Sequence, residues 1–286
     1  MFRSRYVDVG DVRLHAVTGG EGPPLLLVHG WPQTWYAWRL VMPALARHYH
    51  VVAVDQRGIG LSDKPEGGYD SAGLARDMVT LMQALGHQRF SVFGTDVGMP
   101  IAYAVAADHP DRVDRLAVAE AFLPGIDGGA TLIRLLQPNQ LLNARLWHLI
   151  FNQLPPDVNE ALVRDREDVF FGAEFDYSAG TSKLPDETVR YYVRMLRSDR
   201  HALRGSFGFY RALWTTAEQN VARRAHKLSM PVLAMGGEQS AGLSIGPLMT
   251  SVAANVQSVS IPGAGHWIAE QSPDAVLAAL TTFLAG

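Results

Sequence analysis

Short apolar runs that close on a small or charged residue punctuate the chain. Leu25-Leu26-Leu27-Val28 leads into His29-Gly30, Val51-Val52-Ala53-Val54 into Asp55, Phe90-Ser91-Val92-Phe93 into Gly94, and Leu116-Ala117-Val118-Ala119 into Glu120. Further along, residues 231–235 lead into Gly236-Gly237 and residues 256–261 into Pro262-Gly263. Continuous rather than alternating hydrophobicity marks strands buried on both faces. Helical stretches separate them, at 35–47, 71–85, 99–109 and 273–284. Strands alternating with helices imply an α/β fold with a mostly parallel sheet covered on both faces. The first two strands, 5–9 and 12–17, lie too close for a crossover. They predict an antiparallel hairpin turning at Gly10-Asp11.

The alternation stops between Phe122 and Trp214. Leu132, Leu135 and Leu136, then Leu146, Leu149 and Ile150, then Val189, Tyr192, Val193 and Leu196 repeat at helical spacing. The pattern divides the chain into an α/β core, 1–122 and 215–286, and a helical insertion, 123–214. An insertion leaving a strand's carboxyl end lies over the edge where open α/β sheets bind ligands, so it is a candidate lid. Its leucines and aromatics predict an apolar tunnel.

Composition narrows the partners. The 286 residues carry a formal net charge of −3, without the basic excess that tracks phosphates, which argues against nucleic acid. There is no cysteine, which excludes disulfides, thiol catalysis and cysteine-ligated metals. No apolar run reaches membrane-spanning length and none of signal-peptide length follows the N-terminus, so the expectation is a cytoplasmic protein without a membrane partner. Surface hydrophobics could support a homodimer.

Candidate chemistry gathers at the strand ends. Gly94-Thr95-Asp96-Val97-Gly98 joins a strand to a helix, with small residues two positions either side of Asp96. That spacing suits a sharp strand-to-helix turn with a strained centre. An ionised carboxylate there can attack an electrophilic carbon directly. The competing role is a helix cap near Met99. Gly263-Ala264-Gly265-His266-Trp267 follows the last strand and brings a histidine, the side chain suited to activating water, to the same edge. A carboxylate should orient it. Topology allows Glu120 or Glu238, and the abrupt end of an apolar strand favours Glu120. Backbone N–H groups of Trp31, in His29-Gly30-Trp31-Pro32, and of Val97 could stabilise an oxyanion. His29 is read as holding its loop. Gly242-Leu243-Ser244-Ile245-Gly246 matches the serine-hydrolase elbow, but no strand enters it and no acid follows before His266, so it reads as a loop and helix start. His48-Tyr49-His50 lacks a third ligand cluster, so no metal is expected. There is no phosphate loop or dinucleotide fingerprint, and no cofactor is expected.

Together these marks resemble the α/β-hydrolase superfamily over nearly the whole chain, and within it the epoxide hydrolases and the haloalkane and haloacetate dehalogenases. Asp55-Gln56-Arg57-Gly58-Ile59-Gly60-Leu61-Ser62-Asp63 adds to the match. Trp147-His148 and the segment Ser206 to Leu213 are similar to atypical epoxide hydrolases that open the ring with a His and a Tyr. The resemblance implies His148 and Tyr210 as ring-opening donors, Glu120 as the acid, a helical cap and a small apolar epoxide substrate opened to a diol through an Asp96 ester. Haloacetate dehalogenases carry arginines beside the nucleophile, where this chain has Val97 and Pro100, and a Trp after the cap histidine, where it has Leu149. Haloalkane dehalogenases place Trp directly after the nucleophile, although Trp31 could still offer its indole N–H to a halide. Dehalogenation is the alternative, and a noncatalytic ligand-binding protein on this fold is the remaining rival.

Overall fold

A single sheet runs through the computed structural model in the order β1-β2-β4-β3-β5-β6-β7-β8. The structure describes residues 1–126 and 140–286, with side chains outside 127–142. The strands are β1 Arg3–Asp8, β2 Arg13–Gly19, β3 Pro24–Val28, β4 His50–Val54, β5 Phe90–Thr95, β6 Val113–Ala119, β7 Val232–Gly237 and β8 Val256–Ile261. β1 and β2 form the antiparallel hairpin, turning at Gly10 with φ 112°, and β2 is antiparallel to β4. Every other pairing is parallel. The helices of the N-terminal half are α1 Met42–Leu45, α2 Ser71–Ala84 and α3 Gly98–Asp108. Between β6 and β7 the described residues hold α4 Gln140–Leu146, α5 His148–Phe151, α6 Pro156–Val163, α7 Glu167–Ser178, α8 Asp186–Arg197, α9 Ala202–Arg211 and α10 Leu213–Arg223, and no strand. α11 Ile245–Thr250, α12 Ile268–Gln271 and α13 Pro273–Ala285 complete the chain.

The apolar runs work as double-sided strands. Leu26, Val28, Val52, Val54, Val92, Leu116 and Val118 face one core with α2 and α3. Leu25, Leu27, Val51, Ala53, Phe93, Ala117 and Ala119 face the other, against α1 and α13. Successive side chains point to opposite faces, so a run without polar positions can only sit between two covered faces.

Two local expectations change. The stretch 35–47 is not one helix. It is a 3-10 turn, Trp35–Trp38, followed by α1 with Pro43 in its first turn. Pro43 has no N–H to continue a helix arriving from Trp38, so the helix restarts there. In the insertion, Leu149, Tyr192, Val193 and Leu196 are buried as their spacing predicts, but Ile150 is exposed. α5 is a single turn and presents only its His148-Leu149 side inward. Leu132, Leu135 and Leu136 lie outside the described residues.

Hydrogen bonds tie the inserted helices to the loops and helices that flank the sheet. Glu270 on α12 is buried and accepts from Gln33 Nε2 (2.6 Å), from the Tyr192 hydroxyl on α8 (3.0 Å) and from Arg39. Arg39 also donates to Thr188 at 3.0 Å. α10 packs against α2 and α3. No described helix is long and apolar enough to cross a membrane.

The turn after β5 depends on close backbone approach. A Cβ on Gly98 would lie 2.3 Å from the Val28 carbonyl oxygen, and one on Gly94 would lie 2.1 Å from the Gly98 carbonyl oxygen. Gly98→Ala should therefore cost about 1–3 kcal/mol through forced separation of α3 from β3. Gly172→Ala on α7, where an added Cβ meets nothing within 4 Å, should be neutral or stabilising by up to about 1 kcal/mol. Thermal unfolding of both variants checks this, and equal melting temperatures would contradict the close-approach account.

Candidate active site

β5 and β6 run in parallel register with Thr95 opposite Ala119, so Asp96 and Glu120 leave the sheet side by side. Both adopt left-handed backbone conformations, φ 51° and 63°. Such conformations are uncommon for non-glycine residues and persist where surrounding contacts over-determine them. Asp96 is held by its N–H to Ala119 (3.0 Å) and its carbonyl to Met99 N–H (2.8 Å). Its side chain does not cap α3, whose N-cap is Val97 without a side-chain bond. Instead Asp96 Oδ1 accepts the Trp31 N–H at 2.7 Å, and Oδ2 lies 3.3 Å from His266 Nε2.

His266 Nδ1 lies 2.9 Å from Glu120 Oε2. Glu120 is buried, and its other oxygen accepts the Gly237 N–H at 2.6 Å. Glu238 accepts the exposed Gly263 N–H at 2.9 Å and makes no bond to His266. Of the two candidate acids, the fold therefore brings Glu120 to the imidazole. The backbone of His266 is fixed by its N–H to the Ser178 carbonyl at the end of α7, 3.0 Å.

Electrostatics follow from this packing. Burial opposes ionisation of Asp96, but the bond to His266, its charge and the N–H groups of Trp31 and Val97 hold the carboxyl below 3.8. Burial likewise opposes charge on His266, yet the bonds and charges of Asp96 and Glu120 push it up to about 10. Asp96 and Glu120 thus flank an imidazole whose protonated form they favour.

A cavity of about 280 Å³ opens above Asp96 and His266. Pro100, Phe122, Pro124, Leu146, Leu149, Phe209 and Leu213 give it an apolar wall, and Glu174, His148, Tyr210 and Arg145 supply polar groups. Tyr210 is buried, and its hydroxyl makes no well-formed hydrogen bond, with the Asn152 carboxamide beside it. Burial raises that phenol well above its ordinary value, with Asp96 and Glu174 adding to the effect. It is therefore a neutral O–H donor. His148 stacks on Trp31 at 5.0 Å and meets the Tyr210 ring edge-on at 5.6 Å. His148 and Tyr210, far apart in sequence, thus share one wall.

The Trp31 indole differs from expectation. Its N–H is donated to the Ser206 hydroxyl at 2.7 Å, so it is not free to hold a halide. A long-range bond between a loop and α9 leaves no local signal in sequence. Glu174 was also invisible, because a single acid in a helix reads as solvent-facing. His29 holds its loop as anticipated, donating from Nδ1 to the Gly30 carbonyl at 2.8 Å. His50 meets His87 at 2.7 Å, and no cluster of three metal-ligating side chains exists among the described residues. Ser244 sits in the turn before α11 and donates to the Ala241 carbonyl, although it touches the cavity rim.

Comparison with known proteins extends these observations. A family model for the α/β hydrolase fold matches residues 23–273. The soluble epoxide hydrolase of Corynebacterium sp. (strain C12) is 33% identical over 280 residues, covering 97% of this chain and 95% of that protein. The fluoroacetate dehalogenase of Burkholderia sp. is 35% identical over 296 residues, covering 99% and 94%. The solved structure of the epoxide hydrolase CorEH without ligand has a TM-score of 0.89 at 31% identity, covering 100% of this chain and 99% of that one. With its parallel sheet, its sharp turn after β5 and these full-length matches, the chain belongs to the α/β-hydrolase fold family, among relatives that are epoxide hydrolases and dehalogenases.

Proposed function

We propose that the chain is an epoxide hydrolase that works through an Asp96 ester, with residues 123–214 as a cap over the core. The observation that carries this reading is the Tyr210 hydroxyl, a buried donor without a well-formed hydrogen bond, which shares one cavity with Asp96 and His148. The haloalkane dehalogenases hold the halide with an indole N–H; here Val97 follows Asp96 and the Trp31 indole is already committed to Ser206. A haloacetate would need cations beside Asp96; Val97 and Pro100 stand there, and Arg145, which also lines the cavity, donates to the Tyr177 and Gln239 carbonyls.

In the first step, Tyr210 and His148 donate to the epoxide oxygen and polarise a C–O bond. Asp96 Oδ1 is engaged by the Trp31 N–H, so Oδ2 attacks the ring carbon. The carbon–oxygen bond breaks and its electrons pass to the oxygen, which takes a proton from the donor pair. The ester carbonyl is then Oδ1, already in the site made by the Trp31 and Val97 N–H groups. Esterification cancels the Asp96 charge, which is one of the causes that hold His266 protonated. The ring then releases its proton more readily and can accept one from water. Hydroxide adds to the ester carbonyl carbon and the N–H groups hold the oxyanion; collapse breaks the Cγ–Oδ2 bond, the departing oxygen takes the proton back from His266 to complete the diol, and the re-formed Asp96 carboxyl gives its proton, through solvent, to the donor pair. Glu120 keeps Nδ1 protonated and the ring oriented throughout.

His266→Gln should form the ester and fail to hydrolyse it. Exposed to a panel of epoxides, haloalkanes and haloacetates, it should gain the mass of a whole epoxide, mapped to Asp96. A gain of the organic group without halogen would mean dehalogenation instead, and no adduct from any class would favour a noncatalytic binding protein.

Asp96→Asn tests the charge coupling. The folded His266 value lies above the ordinary 6.5, so its ion pairing stabilises the fold fully below about 6.5 and is lost as pH rises through about 10. In the variant, the imidazole midpoint measured by NMR should fall well below that of the wild type. An unchanged midpoint would contradict the charge coupling described above.

A further inference from the structure

The cavity wall that holds the ring-opening pair also carries an acid to which the mechanism above gives no task. Glu174 projects from α7 with its side chain 3% exposed. Its Oε1 accepts the Ser178 hydroxyl at 2.9 Å. Its Oε2 lies 3.1 Å from His148 Nδ1, at an angle short of a hydrogen bond, and both atoms are enclosed without another partner. Among the described residues no lysine or arginine pairs with Glu174. A carboxylate in such a place is costly unless a neighbour carries the opposite charge and a proton to share. Among the described residues, the group able to carry a positive charge that lies against Glu174 is the His148 imidazole. Its other face lies against the Trp31 indole, 5.0 Å away and 21° from parallel, and an indole face attracts a protonated ring. Ser206 fixes that indole in turn.

We propose that Glu174 is a positioning residue that keeps His148 doubly protonated: its carboxylate takes the Nδ1 proton, and the second proton stays on Nε2, the nitrogen left for the cavity. The proposal rests on the reading of His148 as a ring-opening donor and says what makes it one. A neutral ring whose one proton faced Glu174 would present only a lone pair to the epoxide oxygen. With Glu174 beside it, His148 can give up the Nε2 proton as the ring C–O bond breaks and the Asp96 Oδ2–carbon bond forms. The oxygen receives both the electron pair of the broken bond and that proton, and becomes the first hydroxyl of the diol. His148 is left neutral, with its remaining proton toward Glu174. When the ester is hydrolysed the Cγ–Oδ2 bond breaks, so the second hydroxyl carries the former Asp96 Oδ2 and one proton of the water; the water oxygen stays on Asp96, and the other proton, through solvent, restores the pair. Epoxide and water are consumed and a diol is produced, with no net change in the protein.

The experiment uses the full chain labelled with 15N-histidine, with the His148 signals assigned by their loss in His148→Gln. At pH 8 the wild type should show protons on both His148 nitrogens, and Glu174→Gln should show one. A singly protonated His148 in the wild type, or the same proton count in both proteins, overturns the proposal. The wild-type spectrum decides alone if the variant misfolds. Kinetics provide the second arm. In the His266→Gln background, ester formation with styrene oxide should slow roughly ten- to hundredfold on Glu174→Gln. Glu174→Asp should recover part of the loss, and ester hydrolysis in the protein retaining His266 should be unchanged. Equal loss in both steps, or no loss in the first, also overturns it. If no epoxide forms an ester even with Glu174 present, the epoxide reading fails, while the nitrogen spectra still decide whether the Glu174–His148 pair exists.

Discussion

The imidazole of His266 stands between two carboxylates, Asp96 at 3.3 Å and Glu120 at 2.9 Å, and the surrounding architecture serves to hold that row together. Parallel register supplies the first requirement. Because Thr95 and Ala119 are partners, the next residue on each strand leaves the sheet at the same edge. The positive φ of each acid supplies the second, turning the side chains out of the alternation that would bury them in the sheet faces. Conformations of that kind cost on the order of 1–3 kcal/mol each. The Asp96 N–H bond to Ala119 and the Glu120 bond to Gly237 offset that strain.

The two sides of the cavity contrast in how they treat buried polarity. On the sheet side each charge has partners: Trp31 N–H on Asp96, Gly237 N–H on Glu120, and the imidazole between them. On the insertion side the Tyr210 hydroxyl, His148 Nδ1, Glu174 Oε2 and the Asn152 carboxamide are enclosed without bonds. An unsatisfied buried group costs about 1–3 kcal/mol, and its persistence calls for a reason. The Tyr210 hydroxyl borders the same cavity as Asp96, and His148 Nδ1 and Glu174 Oε2 face each other at 3.1 Å. A donor already aimed and dehydrated pays no reorganisation when negative charge develops on a group placed against it.

These two sides are held in register by a few long-range bonds. Trp31 reaches Asp96 with its backbone N–H and Ser206 on α9 with its indole. The His266 N–H reaches the carbonyl of Ser178 on α7, and Glu270 joins Gln33 and Arg39 to Tyr192 on α8. The same helix α7 that anchors the His266 backbone carries Glu174.

Much of this was legible without coordinates. Continuous apolar runs ending in Gly94 or Glu120 announce doubly covered strands, and small residues around Asp96 announce a sharp turn, because burial and backbone sterics act locally and leave a local pattern. Hairpin, parallel core and helical insertion follow from the same periodicities. The break at Pro43 was also written there in a residue that cannot continue a helix, though the surrounding apolar spacing masked it. What only the tertiary structure decided concerns groups distant in sequence. It chose Glu120 over Glu238 for His266, committed the Trp31 indole to Ser206, and set Glu174 against His148. Each of these is a contact of a few ångströms between separate elements. The chain determines it only through the packing of everything between them, and no local periodicity records it.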